Sequence, residues 1–122
     1  MGVKVSFDGD LRGAMAATVA AARRGATKAV ADETKAVAKD MRHRAPVGDS
    51  SRGKRGKPPL GDSIEATHSG LNGTAKAKAR HAGIVEHGTK SHPAQPFAGP
   101  AAETARRRFP KRLADDVREA IE

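Results

Sequence analysis

The feature that most constrains the fold is a stripe of apolar and small residues that recurs in steps of three or four. It consists of Leu11, Met15, Val19, Ala22, Ala26, Val30, Thr34, Val37 and Met41. This spacing places them on one side of an α-helix. Asp10 is a suitable N-cap, and Ala45-Pro46 ends the pattern because the residue before proline avoids the helical conformation. The helix would span about 34 residues and about 50 Å.

Two features qualify this long helix. Gly13 and Gly25 each weaken a helix interior by up to about 1 kcal/mol relative to alanine, which favours a break or bend near Gly25. The small side chains of the stripe suit close packing on a sheet or on a neighbouring helix, and a free-standing coiled-coil partner is the alternative. We expect packing within an assembled subunit.

Three further segments have the alternation of β-strands. At the N-terminus, polar residues alternate with Val3, Val5 and Phe7. A second short strand would have Leu60, Ile64 and Ala66 on one face. The clearest strand is TAKAKARHA, in which Ala75, Ala77 and Ala79 alternate with Lys76, Lys78 and Arg80. Asn72-Gly73 favours a tight turn, so we expect an antiparallel hairpin with its turn there.

Helical spacing returns twice in the second half of the chain. HAGIVEHG fits a single helical turn. The last segment has an apolar residue at every fourth position: Ala101, Ala105, Phe109, Leu113, Val117 and Ile121. We expect an amphipathic C-terminal helix that kinks or restarts at Pro110, because proline lacks the N–H of a helix interior.

The length of 122 residues fits one domain over residues 1–122, but large apolar side chains are scarce. Phe7, Phe97 and Phe109 are the only aromatic residues, and much of the 37% hydrophobic fraction is alanine. Burying a Leu, Ile or Phe contributes roughly 1.5 to 3 kcal/mol and alanine far less. We therefore expect a subunit that its neighbours help to stabilise.

Positive charge is concentrated in one segment. The net charge is +9, and residues 48–62, GDSSRGKRGKPPLGD, contain Arg52, Lys54, Arg55 and Lys57 among Gly, Ser and Pro. This composition predicts a flexible loop. Its cations suit non-specific contact with nucleic acid or with an acidic neighbour, and a solvated, solubilising surface is the alternative.

Catalytic and metal chemistry find little support. His68, His81, His87 and His92 cluster in the sequence near Glu86, so a small hydrolase using Glu86 with His87 or His92 is one hypothesis. However, there is no cysteine, no pair of histidines with the helical spacing of a zinc protease, and no nucleophile-elbow or phosphate-loop motif. We expect no enzymatic activity, no metal and no cofactor.

Membrane insertion is not expected either. The N-terminus MGVKVSFDGD lacks the apolar core of a signal peptide, and no run approaches about 18 apolar residues. We expect a soluble protein made in the cytoplasm.

One stretch resembles a known family. GIVEHGTKSHPAQPFAGPA, from residue 83, is similar to the head-tail joining and tail-completion proteins of long-tailed bacteriophages, in which a V-E-x-G-T turn precedes P-A-x-P-F and a final helix. The matching residues are Val85, Glu86, Gly88, Thr89, Pro93, Ala94, Pro96 and Phe97. The likeness extends more loosely to the long helix that closes at Arg44-Ala45-Pro46 and to the run at Leu60 to Ile64. Gly88 would allow a backbone turn that residues with a side chain rarely adopt. Pro93 and Pro96 lie in an extended link before Phe97, and Phe97 would anchor this link in the core.

The resemblance implies an α+β fold, with a long N-terminal helix packed on a small antiparallel sheet and a C-terminal helix. It also implies a non-enzymatic virion protein, made in the host cytoplasm, that forms a ring, typically hexameric, at the head-tail junction. Its partners would be copies of itself, adjacent connector and tail-tube proteins and, through the loop from Arg52 to Lys57, genomic DNA. The rival hypothesis is a free, basic, non-specific DNA-binding protein, motivated by the charge of +9.

Overall fold

A computed structural model describes residues 2, 11–46, 60–91 and 93–122. The elements are α1 (Leu11–Arg44), a 3-10 turn (Gly61–Ser63), β1 (Ile64–Ser69), β2 (Asn72–Ala77), α2 (Ala82–His87) and α3 (Ala98–Ile121). The expected α+β class is confirmed, with a long N-terminal helix, a two-stranded antiparallel sheet and a C-terminal helix. The predicted strand at Val3–Phe7 and most of the basic loop 48–62 lie outside the described residues.

The first helix is continuous, so the expected break near Gly25 was wrong. A Cβ atom added at Gly25 would lie 2.6 Å from the carbonyl oxygen of Asp116 and 2.8 Å from the Cα of Val117. Gly25 is therefore a point of close approach between α3 and α1. Its missing side chain leaves room for the backbone of α3.

The two long helices run antiparallel. Residues early in α3 lie beside the end of α1, since Arg44 donates to Thr104, whereas Val117 lies beside Gly25. Midway between these points the carboxylate of Glu33 accepts hydrogen bonds from Arg108 and Arg112 of α3.

The hairpin formed as expected, but its turn was misplaced by two residues. Ser69 pairs with Asn72, so the two-residue loop is Gly70-Leu71, and Asn72 and Gly73 begin β2. Gly70 has φ +56° at the first loop position, where glycine is preferred in one of the common hairpin turns. Gly73 serves a different purpose, because a Cβ there would overlap the hydroxyl of Thr34 in α1.

The core lies where α1, the hairpin and the start of α3 meet. It contains Ala38, Met41, Ala45, Leu60, Ile64, Phe97 and Ala101. The small residues Ala66, Ala75, Ala77 and Ala79 pack against it from the hairpin, as their alternation predicted. Arg42 fixes the hairpin to α1 by donating from Nη2 to the carbonyl oxygen of Ile64 at 2.8 Å.

The C-terminal helix continues through Pro110. Of the two expected outcomes, a kink or a restart, the restart was wrong. Proline lacks the N–H that a helix interior uses, which removes one hydrogen bond. Arg108 and Arg112 stand on either side of it and both bind Glu33. These two contacts bind the segments before and after Pro110 to the same residue of α1.

The sheet covers only part of the helical pair. Its contacts are with the second half of α1, whereas Leu11, Met15 and Val19 in the first turns are 73%, 61% and 67% exposed. At the same end of the molecule, Ile121 of α3 is 48% exposed. Among the described residues, no helix combines the length and apolar character needed to cross a bilayer.

Candidate functional site: the motif around Glu86

The family-like motif begins at the end of α2, which stops at Gly88. Gly88 has φ +76°, a conformation that residues with a side chain rarely adopt, and its N–H donates to the carbonyl oxygen of Ile84 at 2.7 Å. This turn sends the chain away from α2 towards the link before α3. The conformational role expected for Gly88 is therefore confirmed.

Glu86 joins the two halves of the motif, which are the V-E-x-G-T turn at Val85 to Thr89 and the P-A-x-P-F segment that ends at Phe97. Its Oε2 atom accepts the backbone N–H groups of Phe97 and Ala98 at 2.8 and 2.9 Å, and its Oε1 atom accepts that of Gly99 at 2.8 Å. These N–H groups form the beginning of α3, where helical donors have no partner within the helix. A carboxylate there also interacts favourably with the helix dipole. Glu86 thus caps α3 from an element that lies 11 residues earlier.

The cap changes the acidity of the side chain. Burial raises the pKa of Glu86, but hydrogen bonds from the three backbone N–H groups and the neighbouring charge of His87 outweigh it, so the pKa lies below its usual value. The carboxylate is therefore the form that the folded chain favours.

Two further contacts close the loop between the motif halves. The N–H of Gln95 donates to the carbonyl oxygen of Val85 at 2.8 Å, and Val85 packs against the core. Phe97 is 2% exposed and is the largest fully buried side chain of the described residues. The prediction that Phe97 anchors the link in the core is confirmed.

The other motif residues face outward. Thr89, Pro93, Ala94 and Pro96 are exposed, and the hydroxyl of Thr89 accepts the N–H of Ser91 at 3.2 Å. The link is thus held at both ends, by Glu86 and Phe97, and presents its middle to the surroundings. These exposed residues are accessible for contact with another molecule.

Glu86 of the hydrolase hypothesis is engaged in the cap of α3. The carboxylate of Glu86 is occupied by three backbone donors, and His87 is exposed beside it. His92 lies outside the described residues. Within the ranges that the structure describes, no three side chains of His, Asp or Glu are placed to hold a metal ion together.

Sequence reasoning missed a second polar cluster. Glu33 is 6% exposed, and its carboxylate accepts bonds from Arg108 Nη2 at 2.6 Å and from Arg112 Nε at 2.8 Å. The carboxylate raises the pKa of Arg108. The signal was an acidic residue directly beside Thr34 on the apolar stripe of α1.

The loop residues Arg52, Lys54, Arg55 and Lys57 lie outside the described residues, so their expected contact with DNA or a neighbouring ring stays a prediction. No protein-family model matches the chain, and neither a curated protein nor a solved structure shows significant similarity to it. The likeness to head-tail joining proteins therefore rests on the motif itself.

Proposed function

We propose that this chain is a structural subunit of a tailed-bacteriophage virion that assembles into a ring, typically of six copies, at the head-tail junction. It would join the neck of the capsid to the tail tube around the path of the DNA, as a connector, tail-completion or tail-terminator protein. The observation that carries the proposal is the Glu86 cap, because it makes one structural unit of the two motif halves on which the resemblance rests.

The uncovered helical face supports a role in assembly. Leu11, Met15 and Val19 form an exposed apolar stripe on α1, and an apolar surface at Leu113, Val117 and Ile121 lies at the same end of α3. Isolated exposed apolar residues are common, but a contiguous apolar surface marks an interaction site. A subunit that buries this surface against its neighbours would compensate for its small core.

The decisive experiment is electron microscopy of purified virions at a resolution that traces chains at the head-tail junction, together with the mass of the recombinant protein in solution. We expect this chain in a ring between the portal assembly and the tail tube. Absence of the chain from purified virions would overturn the proposal.

A matched pair of variants tests the assembly surface. Met15→Glu places a charge on the apolar stripe, and Ala17→Glu places the same charge on an exposed position about 200° away around α1. Met15→Glu should reduce the mass in solution towards that of the monomer, whereas Ala17→Glu should leave it unchanged. Equal masses for the two variants would exclude the stripe as an assembly surface.

The basic loop gives a second test. Replacing Arg52, Lys54, Arg55 and Lys57 with serine should weaken tail attachment, measured as the fraction of tailed particles and as infectivity. Unchanged infectivity would argue against a role for the loop.

The alternative is a free, basic, non-specific DNA-binding protein, and the net charge of +9 favours it. It predicts that the isolated subunit binds duplex DNA tightly, with a strong dependence on salt, and that the chain is missing from virions.

A further inference from the structure

A basic cleft lies between the end of α1 and the first half of α3, away from the motif around Glu86. Its volume is about 720 Å³, and its polar lining residues are Lys39, Arg42, His43, Arg44, Thr104 and Arg108. Asp40 is the one carboxylate among the described residues that line it. The cleft therefore presents mostly hydrogen-bond donors and positive charge.

Two guanidinium groups of the cleft are fixed in place. Arg44 donates from Nε to Asp40 at 2.9 Å and from Nη2 to the Thr104 hydroxyl at 3.5 Å, whereas Arg108 uses Nε and Nη2 to bind Glu33. A guanidinium has five N–H donors, so the Nη1 amino group of each remains without a partner among the described residues. Side chains that are already positioned lose little conformational entropy when they bind an anion.

Two exposed lysines, Lys35 and Lys111, lie just beyond the lining residues of the cleft, towards the middle of both helices. Lys35, Lys39 and His43 follow one another at intervals of four along α1, and Lys111 lies about one turn beyond Arg108 on α3. The dipole of α1 favours cations in its last turn, which accounts for Arg42, His43 and Arg44. It does not account for Lys35, Lys39 or the cations in the middle of α3.

We propose that this cleft binds the phosphate backbone of nucleic acid without reading its sequence. Lys35 to His43 span about 12 Å at 1.5 Å per residue, and a duplex presents one phosphate per about 1.7 Å of its axis. The row therefore matches several successive phosphates rather than one free anion. Among the described residues no Phe, Tyr or Trp lines the cleft, so we expect contact with the phosphate backbone rather than base stacking.

This surface is distinct from the basic loop and goes beyond the proposed ring function, because it concerns binding by the subunit itself. Non-specific affinities at physiological salt commonly correspond to a Kd of about 1 to 100 μM, and they weaken steeply as salt rises. We expect binding in that range.

The test is fluorescence anisotropy of a labelled DNA duplex of arbitrary sequence, titrated with the full chain at several NaCl concentrations from about 50 to 200 mM. The cleft variant is Lys35→Gln with Lys39→Gln. The matched control is Lys76→Gln with Arg80→Gln, which removes the same charge from exposed positions of the hairpin and the residues after it.

The cleft variant should reduce the magnitude of the slope of log Kobs against log[NaCl] by about 2 and weaken binding roughly tenfold, since each lysine accounts for one phosphate contact. The control should change the slope by less than half as much. Equal losses in both variants, or no binding by the wild-type chain, would overturn the proposal.

A conservative variant tests whether duplex binding requires the positioned guanidinium groups or only their positive charge. Arg44→Lys keeps the positive charge but removes the planar guanidinium group that contacts Asp40 and Thr104. It should weaken duplex binding several-fold. Unchanged binding would contradict the role given to the fixed guanidinium groups.

Solution mass then distinguishes nucleic acid from an acidic protein surface. A cleft variant that binds duplex DNA like the wild type but no longer forms oligomers would assign the cleft to a second copy of the chain and overturn the proposal. If the proposed ring function is wrong, the chain will be absent from purified virions. The DNA-binding measurements are independent of that outcome.

Discussion

The two halves of α1 belong to one helix but have opposite surroundings. From Thr34 to Ala45 the helix is covered by the hairpin and by the start of α3, and Ala38 is fully buried. From Leu11 to Ala20 every residue but Gly13 is exposed, and α3 ends at Ile121, about one turn beyond Val117, which lies beside Gly25. About 15 Å of α1 therefore extends beyond the part that α3 and the hairpin cover among the described residues.

This difference shows that the apolar stripe serves two purposes. In the second half its residues form the core, whereas in the first half Leu11, Met15 and Val19 contribute little to the stability of the isolated subunit. A helix of ten residues without tertiary contacts is marginal in water, and helical stability comes mostly from packing. The projecting half is therefore suited to stabilisation by a neighbouring copy.

The largest expected effect is in the covered region, at Phe97. Phe97→Ala removes the largest fully buried side chain of the described residues and should lower the free energy of unfolding by about 3 to 5 kcal/mol, measured by urea denaturation with circular dichroism. Leu11→Ala should change it by less than about 0.5 kcal/mol. If Phe97→Ala is too unstable to measure, Phe97→Leu gives a smaller loss. Comparable losses at positions 97 and 11 would contradict the division into two regions.

Gly25 lies at the boundary between the regions. Gly25→Ala should destabilise the chain by about 2 kcal/mol, because contact with the backbone of Asp116 and Val117 outweighs the gain of about 1 kcal/mol in helix propensity. Gly83→Ala in α2 is the control, since a Cβ there meets nothing within 4 Å. Gly83→Ala should be neutral or slightly stabilising. Stabilisation by both changes would show that the helices do not approach closely at Gly25.

The Glu86 cap should give a smaller effect that depends on pH. Because folding lowers the pKa of Glu86, its contribution is complete above the unfolded-state pKa of about 4.3 and is lost as pH falls through the folded-state value. Glu86→Gln should therefore cost about 1 to 2 kcal/mol at neutral pH, and the difference from the wild type should shrink in acid. Urea denaturation at a series of pH values measures this.

Glu103→Gln is the control for the cap. Its side chain is 54% exposed and contacts only Arg106 and Arg107 at 3.6 Å or more among the described residues. It should change stability by less than about 0.5 kcal/mol. If the two substitutions change the loss of stability at acid pH equally, Glu86 is not the group responsible for that loss.

The sequence predicts what depends on local pattern. The apolar spacing and Ala45-Pro46 place α1 correctly at Leu11–Arg44. The alternation of alanine and lysine correctly predicts a strand at residues 74–77, but β2 ends at Ala77, so the predicted continuation to Ala82 was wrong. The position of the turn could not be decided in the same way. Gly70-Leu71 and Asn72-Gly73 differ by two residues, and a shift of two keeps every side chain on the same face of the strand.

Features that depend on how the helices meet could not be predicted. The cap joins Glu86 to residues 97–99, and the intervening link has no periodic pattern from which to deduce that approach. The contact between Glu33 and Arg108 joins residues that are 75 positions apart. Which acidic residue is buried follows from where α3 packs on α1, and local sequence pattern carries no information about that packing.

The smallest expected effect is a difference in stability between two variants of α1. Both variants replace a valine with alanine, but the two valines lie in different halves of the helix. Val37 packs against the core and Val19 is 67% exposed. Replacing either with alanine gains similar helix propensity, so the difference between them isolates packing. Val37→Ala should cost about 1 kcal/mol more than Val19→Ala, as expected for two partly buried methyl groups. Dilute monomer is required, because burial of Val19 in an oligomer would make the two losses alike. A difference that appears on dilution and vanishes at high concentration would therefore identify the projecting half of α1 as the surface that a neighbouring copy covers.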